Sequence, residues 1–206
     1  MGIKLLICDD DSLIRESLKI LLPLKGDIEV IGEAGNGQEA INICLEKEID
    51  VALIDIRMPI LNGVEAVRSI VDKTNTKCLV LTTFDEEDYI NEALEFGAKG
   101  YILKNNSPEQ IANSIVSVYN NTIVMNETIL DKIHGKDAVP SLGKYDFTDR
   151  EIDIIKAISE GLNNKEISKK LFISEGTVRN YITVILDKTD LEHRTAIAVN
   201  YLKGKL

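Results

Sequence analysis

Five short apolar runs constrain this chain more than any other feature. They read "IKLLIC", "IEVIGEA", "VALIDI", "KCLVLTTF" and "GYILK", each bounded by Asp, Gly or Lys. Each has the length of a strand, and longer segments with helical spacing lie between them. Leu13, Leu18, Leu21 and Leu22 make one such stripe. Ala40, Ile41, Cys44 and Leu45 make a second, and Val64, Val67, Ile70 and Val71 a third. Ile90, Ala93 and Leu94 form a fourth, closed by Gly97. The fifth opens at "SPEQ", with Ser107 as N-cap, Pro108 at the first helical position and Gln110 completing a capping box. Strands alternating with helices predict a parallel sheet covered on both faces, a doubly wound α/β fold.

After Tyr119 the pattern breaks. Residues 121–146 are rich in Asn, Gly and Asp, contain Pro140, and read as a linker with one helical stretch near Glu127–Ile133. From Phe147 every segment looks helical. Thr148 and Glu151 form a capping box, Gly161 closes that helix, Asn164 starts the next and Ser174 a third. The expected organisation is an α/β domain over 1–120, a linker over 121–146 and an all-α domain over 147–206. Charge divides the same way: the formal net charge of −10 resides wholly in residues 1–120, while residues 147–206 carry +1. Such asymmetry points to domains with different partners. Cys8, Cys44 and Cys78 are far apart in apolar segments, which is neither a disulfide framework nor a metal spacing. With no secretory signal, lipidation signal or membrane-length apolar window, the expectation is a cytoplasmic protein without a membrane partner.

"LLICDDDSLIR" places three carboxylates directly after an apolar run, an arrangement that is unfavourable unless the acids are well solvated or a cation sits among them. In a parallel sheet of this kind ligands bind beyond the carboxyl ends of the strands. Strand one ends in Asp9 and Asp10, strand three in Asp55, strand four in Thr82 and Thr83, strand five in Lys104. Taken singly, each is an ordinary turn residue or solvated charge, and Asp11 is an ordinary helix cap. Together they form a coherent site, in which acids hold a hard divalent cation and a lysine neutralises an anionic ligand.

These residues, with "EAGNGQEA", "VALIDIRMPILNGVEA", "LTTFDE" and "GAKGYILK", resemble the receiver domain of bacterial response regulators of the NarL/FixJ family, over residue 3 to about 120. The resemblance implies a CheY-like, flavodoxin-like sheet of order 2-1-3-4-5. It makes Asp55 the phosphoacceptor, with Asp10, Asp55 and the Arg57 carbonyl as Mg²⁺ ligands and Asp9 acting largely through water. Thr82, Thr83 and Lys104 would contact the phosphoryl group, and Tyr101 would be the aromatic switch. The chemistry agrees, because a carboxylate attacking a phosphoryl group needs a divalent cation and an ammonium to offset developing charge. Asn105 and Asn106 follow Lys104 where the family often has an acidic residue, with no effect expected on the chemistry. "DEEDY" over Asp85–Tyr89 reads as a solvated first turn that complements a helix dipole, not a second acidic site.

In the last domain, Ile167 and Leu171 line one helix, "FIS" makes a turn, and Val178, Ile182 and Ile185 line the next. Arg179, Asn180 and Thr183 face away near that helix's N-terminus, where a recognition helix reads base edges; Thr177 joins them. Lys165, Lys169, Lys170 and Lys188 are candidate phosphate contacts. The alternative is a plain helical bundle. The run "TDREIDIIKAISEGLNNKEISKKLFISEGTVRNYITVILDK" is similar to the LuxR-type helix-turn-helix, with Thr189 where an apolar residue is usual and Tyr181 for a common His. By this resemblance His193–Lys203 is a dimer interface. The implied protein takes phosphate from a sensor histidine kinase, dimerises, binds promoter DNA and works with RNA polymerase. It is not an enzyme beyond its own phosphotransfer and slow dephosphorylation. An aspartate-nucleophile phosphatase would need an acid/base group and a substrate cap that are not evident; the complete acid–lysine set argues against an unphosphorylated adaptor.

Overall fold

The computed structural model describes residues 2–82, 87–124 and 145–206, without the side chains of Glu87 and Asp88. Thr83, most of the segment read as linker, and the expected helix near Glu127–Ile133 lie outside the described residues. The chain divides into two compact units, Met1–Val124 and Met125–Leu206.

The first unit alternates β1 (Ile3–Cys8), α1 (Ser12–Leu21), β2 (Ile28–Ala34), α2 (Gly37–Glu46), β3 (Val51–Asp55), α3 (Gly63–Lys73), β4 (Lys77–Thr82), α4 (Glu87–Glu95), β5 (Tyr101–Leu103) and α5 (Pro108–Tyr119). The five strands pair in parallel in the order β2-β1-β3-β4-β5. Successive residues of a strand face opposite sides. Leu5, Ile7, Leu53, Leu79, Leu81 and Ile102 therefore share one core with Leu18 of α1 and Ile111 and Ile115 of α5. Leu6 points to the other side, where α2 packs on β1 and β2 so closely that a Cβ on Gly32 of β2 would meet Ile43 Cγ2 at 2.9 Å. This two-sided burial is why the strands read as continuous apolar runs.

Local capping follows the residue types. Asp11 starts α1, Asn36 starts α2 and Asn62 starts α3, each side chain accepting a backbone N–H of the first turn. Ser107 and Gln110 close the expected capping box on α5. The unit continues past the expected boundary at residue 120. Ile123 is buried, Val124 N–H donates to the Lys99 carbonyl at 2.9 Å, and Tyr101 N–H donates to the Val124 carbonyl at 3.0 Å. Gly100, at φ 147°, makes room: a Cβ there would stand 1.9 Å from that carbonyl oxygen.

The second unit contains α6 (Asp149–Ser159), α7 (Asn164–Leu171), α8 (Glu175–Thr189) and α9 (Arg194–Leu202). Thr148 and Glu151 form the capping box of α6. Asn163 caps α7 with Glu166, and Asn164 is its first helical residue, as the sequence predicts. Either asparagine suits the cap position; the reach from the Asn163 side chain to Glu166 N–H decides it. Phe172, left-handed at φ 55°, ends α7, and Ser174 caps α8. Ile167, Val178 and Ile185 are buried, and α9 packs against α6.

Candidate functional site

Three carboxylates reach one edge of the first unit's sheet because two strands stop there. Asp9 and Asp10 directly follow β1, and Asp55 is the last residue of β3. Asp9 and Asp55 are buried and Asp10 is exposed, and one oxygen of each lies within 4.8 Å of the others. Lys104 supplies the first compensation for this crowding, with its ammonium 2.8 Å from Asp9 Oδ2 and 3.0 Å from Asp55 Oδ2. Strand pairing delivers it: Thr82 and Leu103 are partners, and Lys104 N–H donates to the Thr82 carbonyl at 2.8 Å. Burial pushes the ammonium's pKa down, the two carboxylates push it up by more, and Lys104 stands above the ordinary lysine value. It is charged at neutral pH.

The cluster is held from behind. Asp9 Oδ1 accepts the Asp11 N–H at 2.9 Å, while Arg15 Nη1 donates to the Asp9 carbonyl at 2.5 Å. Sequence reasoning noted Arg15 only as part of a motif; its hold on Asp9 appears in the fold. Gly63 fits against the end of β3, where a Cβ would lie 2.0 Å from the Asp55 carbonyl oxygen. Cys8, beneath Asp9, donates its thiol to the Asn36 carbonyl at 3.4 Å. Burial pushes that thiol's pKa up, so it stays protonated at neutral pH.

One ammonium does not neutralise three carboxylates. The Lys104 ammonium, 2.8 Å from Asp9 Oδ2, serves Asp55 Oδ2 at the same time. An oxygen-only set that carries more negative charge than one ammonium offsets fits a hard divalent cation. Thr82 is buried at the end of β4 on this side of the sheet, and Tyr101 is buried at the start of β5. Thr83 lies outside the described residues.

In the second unit, α8 exposes Arg179, Asn180 and Thr183 on one side, while Lys165, Lys169 and Lys170 are exposed on α7. Thr177 is drawn into the N-terminal cap, its hydroxyl 2.8 Å from Ser174 Oγ. Lys170 pairs with Glu160. Lys188 is placed differently from the other lysines: its ammonium donates to Glu151 Oε2 at 2.8 Å and to the Asp146 carbonyl at 2.7 Å. Thr189, the polar residue at an apolar position, is buried and satisfies its hydroxyl on the Ile185 carbonyl at 2.7 Å. Along α9, Thr195–Val199 are buried, which leaves Arg194, Asn200 and Tyr201 partly exposed. Arg194 spans the α6–α7 connection, with Nη1 donating to Asn164 Oδ1 at 2.6 Å and Nη2 to the Leu162 carbonyl.

A doubly wound sheet with an acid–lysine edge, followed by a separate helix-turn-helix unit, defines a receiver-and-output class of regulator. Comparison with known proteins agrees with this. Residues 5–116 match the response regulator receiver domain, and residues 146–200 match the luxR family of bacterial regulatory proteins. The chain belongs to the two-component response regulators that join a receiver to a LuxR-type DNA-binding domain. It is 40% identical to the transcriptional regulatory protein LnrK of Bacillus subtilis (strain 168), over 96% of this chain and 95% of that protein. Identity to the transcriptional regulatory protein DesR of the same strain is 36%, over 93% and 92%. Among solved structures, the response regulator ChrA of a heme-sensing two-component system superposes with a TM-score of 0.56 at 31% identity, covering 97% of this chain and 96% of ChrA.

Proposed function

We propose that Asp55 accepts a phosphoryl group from the phosphohistidine of a sensor kinase, in a reaction that needs Mg²⁺. Lys104 carries this reading: one ammonium bridges Asp9 and Asp55 within a cluster of three carboxylates that it does not neutralise alone. An Asp55 carboxylate oxygen bonds to phosphorus as the phosphorus–nitrogen bond to the histidine breaks, and the electron pair leaves with the imidazole. Asp10, Asp55 and the Arg57 carbonyl would hold the metal, with Asp9 behind them through water. Bound there, the cation offsets charge on the transferring group. Lys104 turns from carboxylate to phosphoryl oxygens, Thr82 and Thr83 contact the same oxygens, and Tyr101 responds as the aromatic switch.

The added charge of about −1.5 to −2 biases a two-state receiver toward a form that dimerises. A pair of output domains then binds promoter DNA, where the near-neutral charge of one domain alone gives weak affinity. Arg179, Asn180 and Thr183 read bases, Lys165, Lys169 and Lys170 meet phosphates, and RNA polymerase is the downstream partner. The protein is cytoplasmic and has no enzymatic role beyond its own phosphotransfer. Among the described residues no helix is long and apolar enough to cross a membrane.

Intact mass after incubation with acetyl phosphate tests the first step. Wild type gains one phosphoryl group only with Mg²⁺, and Asp55→Asn gains none; a gain of equal size in Asp55→Asn refutes the assignment. Gel filtration with and without phosphate tests the second, and equal dimerisation in both would remove that step.

A further inference from the structure

Lys188 lies in the last turn of α8, the end remote from the base-facing residues. From there its ammonium reaches the start of α6. It meets Glu151 Oε2 at 2.8 Å and the Asp146 carbonyl at 2.7 Å, and lies 5.9 Å from the Phe147 ring centre. Glu151 is 3% exposed, and the same oxygen accepts the Thr148 N–H at 2.6 Å and the Thr148 hydroxyl at 3.0 Å. A buried carboxylate with this many donors is firmly placed, and breaking such a pair leaves a buried charge uncompensated. Lys188 is an exposed residue, but its ammonium is engaged by two protein acceptors, which leaves few donors for a phosphate.

We propose that Lys188 is a positioning residue for DNA recognition, acting through Glu151 to set the direction of α8, and not a phosphate contact. The proposal rests on the DNA-binding reading above. Arg179 and Asn180 stand nine and eight residues before the anchor, about 13 Å along a helix that rises about 1.5 Å per residue. A tilt of about 5° at Lys188 moves them about 1 Å over that length. Paired hydrogen bonds to a base edge do not survive such a shift, whereas lysine contacts to phosphates tolerate it. The anchor therefore governs sequence discrimination more than general DNA affinity.

The test uses the full-length chain and two labelled duplexes, one enriched from a random library by the wild type and one scrambled. Binding of wild type, Lys188→Met, Lys188→Arg and Glu151→Gln is measured over a salt series. Lys188→Met is expected to lose tenfold or more affinity for the enriched duplex and to stay within twofold of wild type on the scrambled one. The slope of log affinity against log salt stays unchanged, Lys188→Arg recovers most of the loss, and Glu151→Gln reproduces it. Weakening on both duplexes with a slope smaller by about 0.9, the value for one lost phosphate contact, overturns the proposal. So does a loss equal on both duplexes that follows the folded fraction measured by circular dichroism, and so does no loss at all. Should Lys188→Met not fold, Glu151→Gln carries the same comparison, since it keeps volume and the Thr148 hydrogen bonds while removing the charge. A wild type that enriches no sequence fails at the selection step, which identifies a failure of the DNA-binding reading itself.

Discussion

At Ile60 the chain puts a β-branched side chain in the left-handed region, φ 69°, and leaves it exposed to water. The Leu61 N–H donates to the Pro59 carbonyl at 2.8 Å, so Ile60 is the centre of a three-residue turn between β3 and α3. This turn class is strained, and left-handed backbone costs a branched residue about 1–2 kcal/mol. Asparagine tolerates the conformation, and little apolar burial is lost at an exposed site. Ile60→Asn should raise the urea midpoint by an amount worth about 1 kcal/mol with an unchanged m-value; an unchanged or lower midpoint contradicts the strain. The turn was not visible in "MPILNG", because nothing about isoleucine announces positive φ. Asp9, Asp55 and Lys104 were visible, because acids and a lysine at strand ends of a parallel sheet stand out against apolar runs.

Among the elements, α6 shows how a cap becomes more than local. Thr148 and Glu151 are recognisable three residues apart, and the structure forms that box. The partner that makes Glu151 special is 37 residues away on α8, out of reach of any local pattern. Burial pushes the Glu151 pKa up; hydrogen bonds from Lys188 and Thr148 push it down by more, and it ends below its ordinary 4.5. A folded pKa below the unfolded one stabilises the fold above pH 4.5 and loses that stabilisation as pH falls through the folded value. Melting curves of wild type and Glu151→Gln should therefore differ most near neutral pH, by about 2 kcal/mol, and converge as pH falls below 4.5 and through the folded value. Parallel curves over that range contradict the linkage. Thr189 gives the opposite lesson: it departs from the expected apolar pattern, yet returning its hydroxyl to its own helix costs the packing little.

Across the whole molecule, the boundary of the first unit has a physical cause. Residues 121–124 resemble the linker in composition, but Ile123 is buried and Val124 extends the hydrogen bonding of β5. Burying one isoleucine is worth about 2 kcal/mol. A fragment ending at Val124 should unfold at higher urea than one ending at Asn120, by at least that amount, while both still accept phosphate. Equal midpoints would show that the added strand contact contributes nothing.

The sequence by itself determined the alternation of strands and helices, most helix starts and the acids and lysine of the receiver edge. These depend on interactions within about four residues or on the periodicity of burial, and both are written in residue order. Tertiary structure alone decided that Arg15 grips the Asp9 carbonyl, that Gly100 admits Val124, and that Lys188 turns inward to Glu151. A lysine near the end of an amphipathic helix looks the same whether it meets water, phosphate or a buried carboxylate. Only the packing that brings α8 against α6 chooses among them, because it removes one carboxylate from water and leaves that lysine as the charge that can compensate it.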